Sequence, residues 1–159
     1  MNKERIVIMI RDIERFFTDL DKFQIKSESD LYLFDKFYGV SMVLFSIVNR
    51  AIDLGEEIVT DKKLGFPNKY REIFELLHKN KIISERLSGD FSDLIHFRNL
   101  AAHEYQTLKE KDVYIAFQRM KAVNDFIAVI KKLLQEEIKK DSQKNNGKNN
   151  NHKPSSAKK

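Results

Sequence analysis

The sequence predicts an all-α protein, a bundle of about five antiparallel helices. Apolar residues recur every three or four positions through residues 1–140, which is the spacing of helices with one buried face. No stretch of that region alternates apolar and polar residues as a half-buried strand does. The 159 residues include only 5 Gly and 2 Pro, so few breaks are expected, and the length suits one domain with its own core.

The first two predicted helices are joined by a short turn. Residues 3–24 carry one apolar stripe between charged positions, which is typical of an amphipathic helix. Ser27 and Asp30 have the spacing of a capping box, so we expect the second helix to begin there and to end at Gly55. Its middle, residues 40–48, is apolar on most sides. Such a helix lies at the centre of a bundle or against a second subunit.

Three further helices follow a connection rich in turn residues. Residues 68–79 predict the third helix, with Asn80 as its left-handed stop. The fourth pattern continues past Gly89, which we expect to divide it into a short piece and a longer helix. Thr107 opens a second candidate capping box, and the fifth helix, the longest uninterrupted pattern in the chain, runs from it to about residue 138.

The positive charge is concentrated at the end of the chain. Residues 139–159 hold seven lysines and one acid and thus carry +6, whereas the whole chain carries +5, so the remainder sums to −1. Beyond residue 140 there is no large apolar side chain to offset the entropy of ordering. We therefore expect a helical domain over residues 1–140 and a disordered, Lys- and Asn-rich tail over 141–159.

Composition and the first residues exclude several classes of protein. The chain has no cysteine, so it has neither disulfides nor thiolate metal ligands. Its first residues do not resemble a secretory signal, and no run of about 18 apolar residues predicts a membrane span. We expect a cytoplasmic protein that does not enter a membrane.

The candidate site is the stretch 96–105, where Arg, Asn, His, Glu and Tyr stand together beside an apolar run. Asn99 and His103 are four apart and share a helix face. Arg98 and His103 are five apart, or about 140° around an ideal helix, and Tyr105 falls nearly opposite His103. One straight helix cannot gather these side chains. Either the helix ends near His103, or a two-fold axis pools two copies of the stretch.

An Arg and a His suffice in principle for RNA cleavage without a metal. A neutral His can take the proton of a ribose 2′-hydroxyl, and an Arg can hold the phosphate and stabilise its developing charge. Asn99 would then support the site by fixing the His103 tautomer or by contacting the phosphate. The alternative is that Arg98 and His103 only satisfy backbone carbonyls and Glu104 at a helix end. We expect no metal site, because Asp93 and His96 lack further ligands of suitable spacing.

The segment Arg98 to Tyr105 resembles the Arg-x4-His-x-Tyr signature of HepT-type toxins, small helical RNases of the HEPN superfamily. Leu54-Gly55, the loop 65–67 and the segment 70–77 also resemble that family, and the likeness extends over residues 30–135. Ala101 and Ala102 depart mildly from its usual residues.

The resemblance implies a homodimer whose Arg98 and His103 motifs face each other in one composite cleft. It implies tRNA or other cellular RNA as substrate, with no cofactor needed for catalysis. It also implies a minimal nucleotidyltransferase antitoxin that uses ATP to transfer AMP to Tyr105. The added phosphate and bulk would repel and block RNA.

The sequence therefore leaves two candidate functions. The first is an RNase toxin with catalytic Arg98 and His103, supporting Asn99 and a modifiable Tyr105. The second is a helical dimer without catalytic activity that binds nucleotides or docks a nucleotidyltransferase. The near-neutral charge of residues 1–138 favours the second slightly, because RNA-binding proteins often present a basic face. Cleavage of RNA by the purified protein distinguishes them.

Overall fold

Six α-helices and two 3-10 turns make up the computed structural model of the chain, which describes residues 1–149. Within those residues there is no strand, and the predicted all-α class is confirmed. The 3-10 turns are Glu28–Tyr32 and Tyr105–Thr107. The helices are α1 (Lys3–Asp21), α2 (Phe34–Asp61), α3 (Tyr70–Lys79), α4 (Glu85–His103), α5 (Glu110–Gln118) and α6 (Lys121–Asn149).

The second helix is the centre of the bundle, as its apolar middle predicts. It packs against each of the other five helices. Leu44, Ile47, Val48 and Ala51 on this helix are fully buried. Its length and a mean hydropathy of 1.3 over 18 residues would also allow it to cross a membrane, and 39% of that window is buried in the bundle. Core helices of bundles have the same composition.

Three phenylalanines join α3, α4 and α6. Phe74 and Phe91 stack with their ring centroids 3.9 Å apart. Phe126 meets both rings edge-on, at 5.5 and 5.3 Å. All three side chains are buried. Because rings of this size fill much of a small core, the cluster fixes how α4 lies against its neighbours.

Two glycines predicted to end or break helices lie inside them. Gly55 is buried within α2, and a Cβ there would stand 2.9 Å from Cγ2 of Ile73. Its role is to admit α3 rather than to stop α2, and Ile58 continues the buried stripe beyond it. Gly89 lies within α4, which Ser84 caps by accepting a hydrogen bond from the Leu87 N–H. The predictions for both glycines were wrong.

The first capping box is present but opens a different element. Asp30 accepts hydrogen bonds from the N–H groups of Lys26 and Ser27, at 2.8 and 3.0 Å, and these bonds lower the pKa of Asp30. They stabilise the 3-10 turn Glu28–Tyr32, and α2 begins only at Phe34. The left-handed stop after α3 is also displaced by one residue. Lys81 has φ of 60°, whereas Asn80 has φ of −92°.

The longest predicted helix is two helices, α5 and α6. The chain turns at Arg119 and Met120, although the apolar spacing runs through the turn in phase. Thr107 does not begin α5. Its N–H and its hydroxyl both donate to the carbonyl of Glu104 and so close the preceding turn. Asp112 instead accepts from the Lys109 N–H at the start of α5.

The predicted boundary between the domain and its tail falls inside the last helix. The last helix continues to Asn149, nine residues past the predicted boundary at 140. Asp141 forms an ion pair with Lys3 of α1, and this lysine lowers the pKa of the Asp141 carboxyl. Contact with α1 was not visible in the polar composition of this segment. The rest of the predicted tail, 150–159, lies outside the described residues.

Substitution of the two helical glycines by valine should separate packing from helix propensity. Gly55→Val places a side chain against Ile73, so we expect the free energy of unfolding to fall by about 1–3 kcal/mol. The matched control is Gly89→Val, because no atom lies within 4 Å of the added Cβ. Its effect should stay within about 0.5 kcal/mol. Urea unfolding measures both, and equal losses would contradict the assigned role of Gly55.

Candidate active site

The side chain of Arg98 lies on the flank of α4 that faces α2. Its Nε donates a hydrogen bond of 2.8 Å to Oδ1 of Asn49 on α2. Its Nη1 donates to Oδ1 of the neighbouring Asn99 at 3.3 Å. The rings of Tyr70 and Phe45 lie 4.8 and 5.6 Å from its Cζ, within the range of cation–π contact. The guanidinium is therefore held by two amides and two rings.

No carboxylate neutralises this guanidinium among the residues that the structure describes. Two other arginines show the contrast. Arg50 pairs with Asp12 and Asp53, which raise its pKa, and Arg119 pairs with Asp90 and Asp93. The partners of Arg98 are neutral, so it keeps its full charge, and its other N–H groups are available for an anion. This arrangement suits recognition of a phosphate.

The candidate stretch 96–105 contains the end of α4. His103 is the last residue of the helix, and the N–H of Glu104 bonds back to the carbonyl of Leu100 at 2.9 Å. The imidazole of His103 is exposed. Tyr105 begins the 3-10 turn, with 72% of its surface exposed, so its hydroxyl is accessible to a modifying enzyme. The structure thus has a helix end near His103, one of the two arrangements that the spacing allowed.

One chain brings only part of the predicted set together. Arg98 contacts its neighbour Asn99. Within residues 1–149 no hydrogen bond joins Arg98 to His103 or to Tyr105, and the helix end alone does not pair the two predicted catalytic residues. The second arrangement, a two-fold axis that pools two copies, stays a prediction.

Sequence reasoning missed Asn49, Tyr70 and Phe45. Asn49 is a polar side chain directly after the apolar middle of α2, four residues from Phe45 and hence on the same face. That position could have marked Asn49 as a candidate site residue. The local sequence does not predict that Asn49 binds Arg98, because the two are 49 residues apart in the chain.

A cleft of about 640 Å³ adjoins the site. Asn99 and Ile95 of α4 line one part of it, and Lys69, Tyr70 and Arg71 line another. Arg98, His103 and Tyr105 do not line it. The cleft is thus connected to the candidate site through Asn99 and through the ring of Tyr70, which also contacts Arg98.

The remaining question about the sequence is whether Asp93 and His96 belong to a metal site. Asp93 lies 3.2 Å from Arg119 in an ion pair. In the described part of the chain, no group of three or more His, Asp or Glu side chains is placed to hold a metal.

Comparisons with known proteins agree with the fold and with the motif. The model of the family described as ribonuclease HepT-like matches residues 6–144. The chain therefore belongs to the HepT-like ribonuclease family. The match contains Arg98, His103 and Tyr105, and it confirms the resemblance drawn from them.

Individual relatives are similar to this chain over different lengths. The mRNA nuclease HepT of Shewanella oneidensis is 33% identical over 81 residues, which are 50% of this chain and 61% of that protein. The tri-AMPylated HEPN toxin of Shewanella oneidensis, solved in complex with its MNT antitoxin, has a TM-score of 0.73 and 28% identity over 82% of this chain and 98% of its own. A toxin–antitoxin structure with AMP-PNP has a TM-score of 0.71 and 26% identity, covering 79% and 96%.

Proposed function

We propose that this protein is the toxin of a toxin–antitoxin system, an endoribonuclease that cleaves tRNA or other cellular RNA in the cytoplasm without a metal. The observation that carries the proposal is the Arg98 guanidinium, which neutral groups hold in place and no carboxylate neutralises in the described residues. The similar Shewanella oneidensis protein is an mRNA nuclease, which supports RNA as the substrate class.

The reaction is an internal transesterification. His103 accepts the proton of a ribose 2′-hydroxyl, and the 2′-oxygen attacks the adjacent phosphorus. The bond from phosphorus to the 5′-oxygen breaks, and that oxygen takes a proton from water as it leaves. His103 then returns the proton of the 2′-hydroxyl to the solvent. The products are a 2′,3′-cyclic phosphate and a 5′-hydroxyl. Arg98 binds the phosphate oxygens and stabilises the charge that develops on them, and Asn99 and Asn49 fix its direction.

A homodimer would complete the site. Phe34, Tyr38 and Met42 form an exposed apolar stripe on α2, with exposures of 79, 58 and 65%. The same face continues, at helical spacing, to Phe45 and Asn49, which hold Arg98. A second copy packed on this stripe would bury it, and a two-fold axis there would pass beside Arg98. The His103 of one protomer could then serve the Arg98 of its partner.

Tyr105 is the proposed point of control. A minimal nucleotidyltransferase antitoxin would bring ATP, and the Tyr105 oxygen would attack its α-phosphorus and release pyrophosphate. The new phosphodiester carries negative charge near the Arg98 and His103 motif, so it competes with RNA for the same cation. The AMPylated HEPN toxin among the structural relatives, seen with its MNT antitoxin, supports this assignment.

Substitutions of Arg98, His103 and Asn49 should lower the cleavage activity by different amounts. Arg98→Ala and His103→Ala should each lower RNA cleavage by at least about 100-fold, because each removes charge stabilisation or the general base. Asn49→Ala leaves the charge but loosens its direction, and we expect a fall of about 10-fold. His96→Ala is the matched control, since it removes an exposed imidazole from the same helix and should retain parental activity.

The assay should use purified protein with chelator present and should identify the RNA ends. A 2′,3′-cyclic phosphate is the expected product. Full cleavage and toxicity in both the Arg98 and the His103 variants would show that the catalytic assignment is wrong. No cleavage by the parent under any condition would favour the second function, a binding module that docks a nucleotidyltransferase.

Removal of the Tyr105 hydroxyl should separate catalysis from control. Tyr105→Phe should cleave RNA like the parent, because the hydroxyl takes no part in the transesterification. Incubated with the antitoxin and ATP, this variant should gain no AMP by mass spectrometry and should stay active. Tyr70→Phe is the control and should still be modified. An adduct mapped only to other tyrosines would refute the role of Tyr105.

A further inference from the structure

The 640 Å³ cleft beside Arg98 has a lining that fits a nucleotide. Its volume lies within the range of small-molecule pockets, about 300–1,000 Å³. It combines an aromatic ring (Tyr70), two cations (Lys69 and Arg71) and an apolar floor (Ile73 and Ile95). Single-stranded RNA is bound by the same combination, in which bases stack on rings and phosphates pair with cations.

The two cations of the cleft, Lys69 and Arg71, have exposed side chains. Neither of them forms an ion pair within residues 1–149. The one carboxylate in the lining belongs to Glu56. A carboxylate repels phosphate but accepts a hydrogen bond from an amino or imino group of a base, such as the exocyclic N–H of cytosine. The amides of Asn68 and Asn99 can also pair with base edges.

The ring of Tyr70 links the cleft to the site of reaction. Its centroid lies 4.8 Å from Cζ of Arg98, and the same residue lines the cleft. Asn99 likewise lines the cleft, and its Oδ1 accepts a hydrogen bond from Nη1 of Arg98. A nucleotide in the cleft is therefore separated from the guanidinium by a single side chain. It would be the neighbour, along the RNA, of the phosphate held by Arg98.

We infer that this cleft is a subsite for one unpaired nucleotide next to the scissile phosphate. Tyr70 stacks on the base, Glu56 contacts its edge, and Lys69 and Arg71 each hold one of the two flanking phosphates. The subsite selects single-stranded RNA over duplex, because a paired base cannot reach the ring. This inference rests on the proposed RNase function and adds the determinants of substrate choice.

Binding to intact RNA tests the subsite apart from catalysis. The background is the full chain carrying His103→Ala, and the probes are fluorescent single-stranded oligonucleotides of A, C or U, measured by anisotropy. In that background Lys69→Ala combined with Arg71→Ala should lower the slope of log Kd against log salt by about 1 to 1.5, since each lost phosphate contact on a single strand removes about 0.7. Tyr70→Ala should weaken binding by about 10-fold, and Tyr70→Phe should not.

The matched control is Lys22→Ala combined with Lys26→Ala, which removes the same charge from exposed residues that do not line the cleft. It should leave the salt slope unchanged. An equal change in slope from both double variants would overturn the subsite, because the effect would then be general attraction.

Parallel cleavage assays of the same variants with His103 intact separate a failure of the subsite from a failure of the proposed RNase function. If the parent cleaves RNA and the cleft variants bind and cleave as it does, the subsite is wrong and the proposed function stands. If the parent neither binds nor cleaves RNA, both are wrong. Because Tyr70 also contacts Arg98, the Lys69 and Arg71 double variant is decisive between them.

Discussion

A guanidinium held by neutral partners is the interaction on which the proposed chemistry depends. Other arginines of the protein are held in ion pairs, such as Arg50 with Asp12, and a carboxylate then neutralises their charge. Arg98 is oriented instead by Asn49 and by two rings. These groups are neutral, so they fix the guanidinium without neutralising its charge. A phosphate binder needs both properties together, because the reacting phosphate must be positioned and its developing charge stabilised at the same atoms.

The central helix serves both the core and the site. One side of α2 is buried among the other helices. Another side presents the apolar stripe headed by Phe34, and the same face continues to Phe45 and Asn49, which contact Arg98. The bundle core thereby fixes the direction of Arg98, and the proposed dimer surface begins at the same place. This connection explains how long apolar helices can carry a site with so few polar residues.

The sequence predicted the helical class and the family, because apolar periodicity and the Arg-x4-His-x-Tyr spacing are local signals. It failed where tertiary packing decides. Glycine is a common helix stop, but Gly55 lies inside α2, where the absence of a side chain lets Ile73 pack against it. The turn at Met120 is hidden because apolar positions stay in phase across it. Asn49 could not be paired with Arg98, and the cleft lined by Tyr70 and Asn99 could not be seen, because these contacts cross between helices.

A mixed dimer tests most directly whether two copies complete one active site. Arg98→Ala and His103→Ala chains with different tags are purified together as a heterodimer, and its RNA cleavage is compared with that of each inactive homodimer. Neither chain then holds both residues, but one pair of Arg98 and His103 remains across the two-fold axis. The account predicts that the heterodimer regains cleavage well above both homodimers. A heterodimer as inactive as they are would contradict a composite site.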